Sequence, residues 1–87
     1  GEGQVSQILV IDDDETVGDV VRQLLERDGH EVTEREEGEA GLDSHAAKPA
    51  DLVIVDIQMP GMSGFEVIRR LRQVDQVRVL QCVVAGP

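Results

Sequence analysis

Two short, unbroken apolar runs set the frame of this chain. Ile8-Leu9-Val10-Ile11 and Leu52-Val53-Ile54-Val55 consist only of leucine and β-branched residues. Runs of that length and composition predict strands buried on both faces, as in a parallel sheet covered by helices. Each run stops at acid. Asp12-Asp13-Asp14-Glu15 follows the first, and Asp56 follows the second.

The segments between them change period. Over residues 15–28, Val17, Val20, Val21, Leu24 and Leu25 recur at helical spacing, with Asp19, Arg22, Gln23 and Glu26 on the other side. This predicts an amphipathic helix whose whole apolar stripe faces inward, closed by Gly29 at its C-cap. Residues 30–34, short and charged, predict a second strand at the sheet edge. A solvated turn is expected around Gly38. Residues 40–47 predict a weak helix with Leu42 and Ala46 inward and Gly41 costing about 1 kcal/mol relative to Ala. Lys48-Pro49-Ala50 then leads into the Leu52 run.

After Asp56, Met59-Pro60-Gly61-Met62-Ser63-Gly64 turns the chain sharply. Ser63 and Glu66 have the spacing of a capping box, in which hydroxyl and carboxylate each satisfy an orphan backbone donor at the helix start. Phe65, Val67, Ile68, Leu71 and Val74 are assigned to the buried face of that helix, and Arg69, Arg70 and Arg72 to the wet one. Residues 77–85 predict a fourth strand, interrupted by Arg78 and Gln81. A β-α-β-α-β order of this kind predicts parallel strands joined by right-handed crossovers.

The two acidic strand ends then carry the chemistry. Open α/β sheets hold ligands beyond the carboxyl ends of their strands. Consecutive carboxylates raise one another's pKa unless a cation neutralises them. Asp14 and Glu15 suit the first turn of a helix, where acids are favoured. Asp12 and Asp13 are assigned with Asp56 to a site for a divalent metal, on the expectation that their strands are neighbours.

Composition narrows the classes. Eighty-seven residues make one small domain, and 18 acidic against 8 basic residues leave a net charge of −10. Such a surface does not suit nucleic acid or an anionic membrane, whose binding needs basic residues. Phe65 is the only aromatic residue, so the core is built from Val, Ile and Leu. The lone Cys82 cannot form an internal disulfide, which points to a reducing cytoplasm. No apolar run approaches a membrane span. His30 and His45 lack metal-ligand spacing and are assigned to the surface. Residues 1–5 are assigned to a frayed or appended terminus.

Several stretches together resemble a known family: Ile8-Leu9-Val10-Ile11-Asp12-Asp13-Asp14-Glu15, Gly29-His30-Glu31-Val32, Gly38-Glu39, and the run from Lys48-Pro49 through Asp56-Ile57-Gln58-Met59-Pro60-Gly61-Met62-Ser63-Gly64 to Val67. The chain resembles the receiver domain of bacterial two-component response regulators over residues 6–75. The resemblance implies a flavodoxin-like (CheY-like) α/β fold, a parallel sheet with helices on both faces. It is incomplete here: four strands and three helices, without the fifth strand and last helices. It also implies that Asp56 is the phosphoacceptor, taking a phosphoryl group from a sensor histidine kinase. Mg2+ would be held by Asp13 and Asp56 directly, Asp12 through water, and the backbone carbonyl of Gln58.

The departures are informative. The family's fifth-strand lysine has no counterpart. Val84-Ala85 aligns where the family has Thr or Ser before Ala, which removes a hydroxyl contact to the phosphoryl group. Arg35 stands where a small residue is expected. An incomplete sheet exposes apolar surface and predicts self-association, through the fourth strand or exchanged elements. Two other functions compete. A degenerate receiver would be a docking or dimerisation module without phosphorylation. A haloacid-dehalogenase-like phosphatase would use Asp12 as nucleophile and Asp14 as general acid.

Overall fold

A computed structural model describes residues 6–74 and 78–82, with side chains through residue 73. The expectations for residues 1–5, for Val84-Ala85 and for the side chains of Val74, Arg78 and Gln81 lie outside these. The elements run β1 Gln7–Ile11, α1 Glu15–Arg27, β2 Glu31–Arg35, α2 Gly38–Ala47, β3 Leu52–Asp56, α3 Gly64–Val74 and β4 Arg78–Cys82. All strand pairs are parallel, and the sheet order is β2-β1-β3-β4. The two predicted core strands are therefore adjacent and central, and the charged β2 lies at an edge.

Side chains alternate across the sheet, so each strand feeds two cores. Leu9, Ile11, Val53 and Val55 pack with Val67, Ile68 and Leu71 under α2 and α3. Ile8, Val10 and Ile54 form a smaller cluster with Val21, Leu25, Val32 and Leu52.

Local signals set the helix ends. Asp14 caps α1, its Oδ1 accepting from the N–H groups of Thr16 at 2.9 Å and Val17 at 3.3 Å. At the other end the Gly29 N–H donates to the Glu26 carbonyl and the His30 N–H to that of Leu25. This is the Schellman pattern expected with glycine just past the helix. Ser63 Oγ accepts the Glu66 N–H at 3.3 Å, which is half of the predicted capping box. The Glu66 carboxylate instead turns to Arg69 at 2.5 Å and Arg70 at 3.5 Å.

Five expectations need correction. Helix α2 begins at Gly38, inside the predicted turn. A Cβ there would lie 2.8 Å from Val67 Cγ2 and 3.2 Å from Met62 Sδ, so the bare glycine lets α2 seat on α3. Ala46 faces solvent, and His45 takes the inward place at 4% exposure. Its Nδ1 accepts the Ala50 N–H at 3.0 Å, which makes a buried imidazole affordable. His30 is half-buried, accepting the Ser6 N–H at 3.3 Å, so neither histidine is a plain surface residue. Phe65 is 61% exposed because the first turn of α3 points it outward. On α1, Val20 and Leu24 are 52% and 56% exposed, so the apolar stripe is wider than its contact with the sheet.

Candidate functional site

The site grows from strand register. Ile11 of β1 pairs with Val55 of β3, so the residues that follow, Asp12 and Asp56, leave adjacent strand ends together. Carboxylate oxygens of Asp12, Asp13 and Asp56 lie within 4.8 Å of one another. Asp12 and Asp56 are buried and Asp13 is exposed, so the cluster has a closed floor and an open mouth.

Backbone donors hold two of the three. The Asp14 N–H donates to Asp12 Oδ1 at 2.9 Å, and the Gln58 N–H donates to Asp56 Oδ1 at 3.1 Å. The Asp12 N–H is itself fixed by the Arg35 carbonyl at 3.0 Å, which ties the site to the end of β2. Asp14 stays out of the cluster because its carboxylate caps α1. For Gln58 the hydrogen bond to the cluster comes from its N–H.

Burial pushes the Asp12 carboxyl above its ordinary range. The Asp14 N–H partly offsets this, while the negative charges of Asp56 and Asp13, and a hydrogen bond shared with Asp56, push it further up. Three carboxylates so placed repel one another, and a cation would relieve them. The donors are all hard oxygens, two buried and one open to water. That set fits Mg2+, which takes few carboxylates and keeps several waters. On this chemistry Asp12, Asp13 and Asp56 are the residues that would hold it.

Beside the cluster, a cavity of about 410 Å3 opens between α1, β2 and the start of α2. Asp12, Glu15, Asp19, Glu34 and Glu37 line it, with Arg35. Burial also raises the Glu34 carboxyl; its hydrogen bond from Arg22 Nε, at 3.0 Å, offsets part of that and the nearby Asp19 adds to it.

The chain matches the model of the response regulator receiver domain over residues 8–86. The chain belongs to the response regulator receiver family. Receivers generally partner histidine kinases, and the family is not an enzyme family in the usual sense. Among curated relatives, the transcriptional regulatory protein YkoG of Bacillus subtilis is 43% identical over 68 residues, covering 78% of this chain and 30% of its own length. AfsQ1 of Streptomyces coelicolor, also a transcriptional regulatory protein, is 37% identical over 73 residues, 84% of this chain and 32% of that protein. The receiver thus spans about a third of the length of the relatives it matches. Among solved structures, the response regulator TrrA of Thermotoga maritima, in complex with Mg2+-BeF, superposes with a TM-score of 0.88 at 32% identity. That match covers 93% of this chain and 71% of the other. A receiver domain protein from Clostridium thermocellum gives a TM-score of 0.85 at 32% identity, over 93% and 67% of the two chains.

The acidic strand tips were legible in the sequence as site residues. The Arg35 carbonyl was not, because any residue at that register position offers the same group. Gly64 was read only as part of a turn. The sign that it does more is its place directly after a helix-capping serine, where a bare Cα is not required for the cap itself.

Proposed function

We propose that this receiver accepts a phosphoryl group on Asp56 from a phosphohistidine of a sensor histidine kinase. The observation that carries this is the meeting of Asp12, Asp13 and Asp56 at two adjacent parallel strand ends. A carboxylate oxygen of Asp56 attacks phosphorus. The new P–O bond forms as the P–N bond breaks, the electron pair returns to the imidazole, and an acyl phosphate results. The Gln58 N–H holds Oδ1 and so orients the carboxylate for that attack. The exposed mouth at Asp13 admits the donor. When bound, Mg2+ supplies positive charge that lets an anionic donor approach three carboxylates. Asp13 and Asp56 are assigned as its direct ligands, with Asp12 through water and the Gln58 carbonyl completing the set.

A cytoplasmic location follows from the histidine kinase partner. Among the described residues, no helix is long and apolar enough to cross a membrane. Exposed Val20 and Leu24, with β4 at a sheet edge, support the further reading that copies of this chain self-associate. Asp14 is occupied as a helix cap, which weighs against the phosphatase role assigned to it.

The test is intact-mass measurement after incubation with Mg2+ and acetyl phosphate. The expected result is one added phosphoryl group, absent in Asp56→Ala. An Asp56→Ala chain that still gains the mass rejects the assignment. A folded wild-type chain that never gains it supports the docking module instead.

A further inference from the structure

We propose that Gly64 is a positioning residue for Asp56: its missing side chain lets α3 rest on the Asp56–Ile57 peptide and so sets where the Asp56 carboxylate points. The inference rests on the reading of Asp56 as acceptor within a metal-binding cluster.

A Cβ built at Gly64 would lie 2.2 Å from the Asp56 carbonyl oxygen, 2.6 Å from Ile57 Cα and 2.8 Å from the Asp56 carbonyl carbon. All three are backbone atoms, and none can rotate away as a side chain does. Among the described glycines this encounter is of its own kind. Gly29 and Gly61 have positive φ and open space around them, so they answer to backbone conformation. At Gly38 the nearest atoms belong to the side chains of Val67 and Met62. Gly64 has no positive φ, so alanine is conformationally allowed there and only the close approach forbids it.

The contact lies in a short backbone circuit. The Gly64 N–H donates to the Ile57 carbonyl at 3.0 Å, closing the loop of residues 57–63. One residue after Ile57, the Gln58 N–H donates to Asp56 Oδ1. A methyl group at position 64 must lift the start of α3 or rotate the Asp56–Ile57 peptide. The first loosens the bond that closes the loop. The second turns the Gln58 N–H from the carboxylate. Both leave Asp12 and Asp13 in place and disturb Asp56.

A merely structural glycine would cost stability and nothing else. The discriminating comparison is therefore Gly64→Ala against Ser63→Ala, in the whole chain. Ser63→Ala removes the α3 cap next door, a loss of helix stability without any new atom near Asp56. The probe is Mg2+ alone, titrated while the Gln58 amide is followed by NMR, at a temperature where both variants are folded. Ser63→Ala is expected to bind within about twofold of wild type. Gly64→Ala is expected to bind roughly 10–100-fold more weakly, the range for lost outer support of a metal ligand. Equal affinities in the two variants overturn the proposal while leaving the acceptor reading intact.

If Gly64→Ala does not fold, the wild-type chain decides. The Gly64 and Gln58 amides are expected to move together with one midpoint in the Mg2+ titration, and a Gly64 amide that stays still overturns the proposal. If folded wild type shows no response to Mg2+, the metal reading fails separately. Hydrogen exchange of the Gln58 amide then decides without metal. Protection lost in Gly64→Ala but kept in Ser63→Ala supports the proposal, and equal protection overturns it.

Discussion

The two faces of the sheet differ, although the same strands build both. Under α2 and α3, six side chains (Leu9, Ile11, Val53, Val55, Val67 and Leu71) are at most 2% exposed, and Ile68 is at 5%. Among the described residues, the hydrophobic cluster under α1 has only Ile8, Val10 and Ile54 buried, and Ile54 retains 9%. Strand alternation offers apolar side chains equally to both sides. What differs is the roof. Two helices cover one face, while on the other α1 lies against β1 and β2 with Val20 and Leu24 left half open.

The same alternation says which face owns the site. Ile8, Val10 and Asp12 share one parity on the first strand and its continuation. Leu52, Ile54 and Asp56 share it on the third. Both carboxylates thus continue the thinly covered face, while the well-packed face holds their strands in register. A rigid support beneath the strand ends is the arrangement that positions a reactive side chain, with the exposed Asp13 leaving the cluster its open mouth.

This contrast can be broken in graded ways. The largest effect belongs to the packed face. Leu71→Ala is expected to cost roughly 2–5 kcal/mol, which would unfold much of so small a domain. Thermal melting by circular dichroism reads it, and a shift of only a degree or two would mean that the α3 layer is not what holds the sheet.

Next comes the cation. Mg2+ at a hundred times its dissociation constant should raise stability by about 2.7 kcal/mol. Asp12→Asn should remove most of that gain while stabilising the metal-free domain at neutral pH. The sign follows from the raised pKa of Asp12. Above the ordinary carboxylate value of 3.8, the folded state holds this proton more tightly than the unfolded chain. Rising pH through that window, up to the raised native value, therefore costs stability, and Asp12→Asn should flatten this part of the profile. Melting curves against pH in EDTA check it. A wild-type domain that gains stability from Asp12 ionisation across that window would contradict the crowding of Asp12 by Asp13 and Asp56.

The smallest effect is expected on the open face. Leu24→Ser should change the melting free energy by about 0.5 kcal/mol or less, as at other solvent-facing positions. It should also reduce any concentration-dependent association seen by light scattering. A loss comparable to that of Leu71→Ala would show that the α1 stripe is covered in solution.

Much of this was legible along the chain for specific reasons. The Ile8 and Leu52 runs are too short and too apolar to be anything but buried strands. Asp14 is recognisable as a cap because it stands just before the first helical period. The acidic tips announce a site because like charges need a reason to gather. Ala46 and Phe65 depart from expectation for one shared reason: helical spacing tells on which side of its own helix a residue lies, not whether another element meets that side. Hence Phe65 points to water, and Val20 and Leu24 extend past the sheet. His45, without metal-ligand spacing, carried no signal along the chain for the backbone donor that lets it be buried.

By itself, the sequence determined the strands, the helices, the caps at Asp14, Gly29 and Ser63, and the two acidic tips, because each depends on neighbours along the chain. Only the tertiary structure decided that β1 and β3 lie side by side, that Asp12, Asp13 and Asp56 meet, and that a bare Cα at Gly64 rests on the Asp56 peptide. Those are distances between segments remote in sequence, and they exist only once register and helix packing bring the segments together.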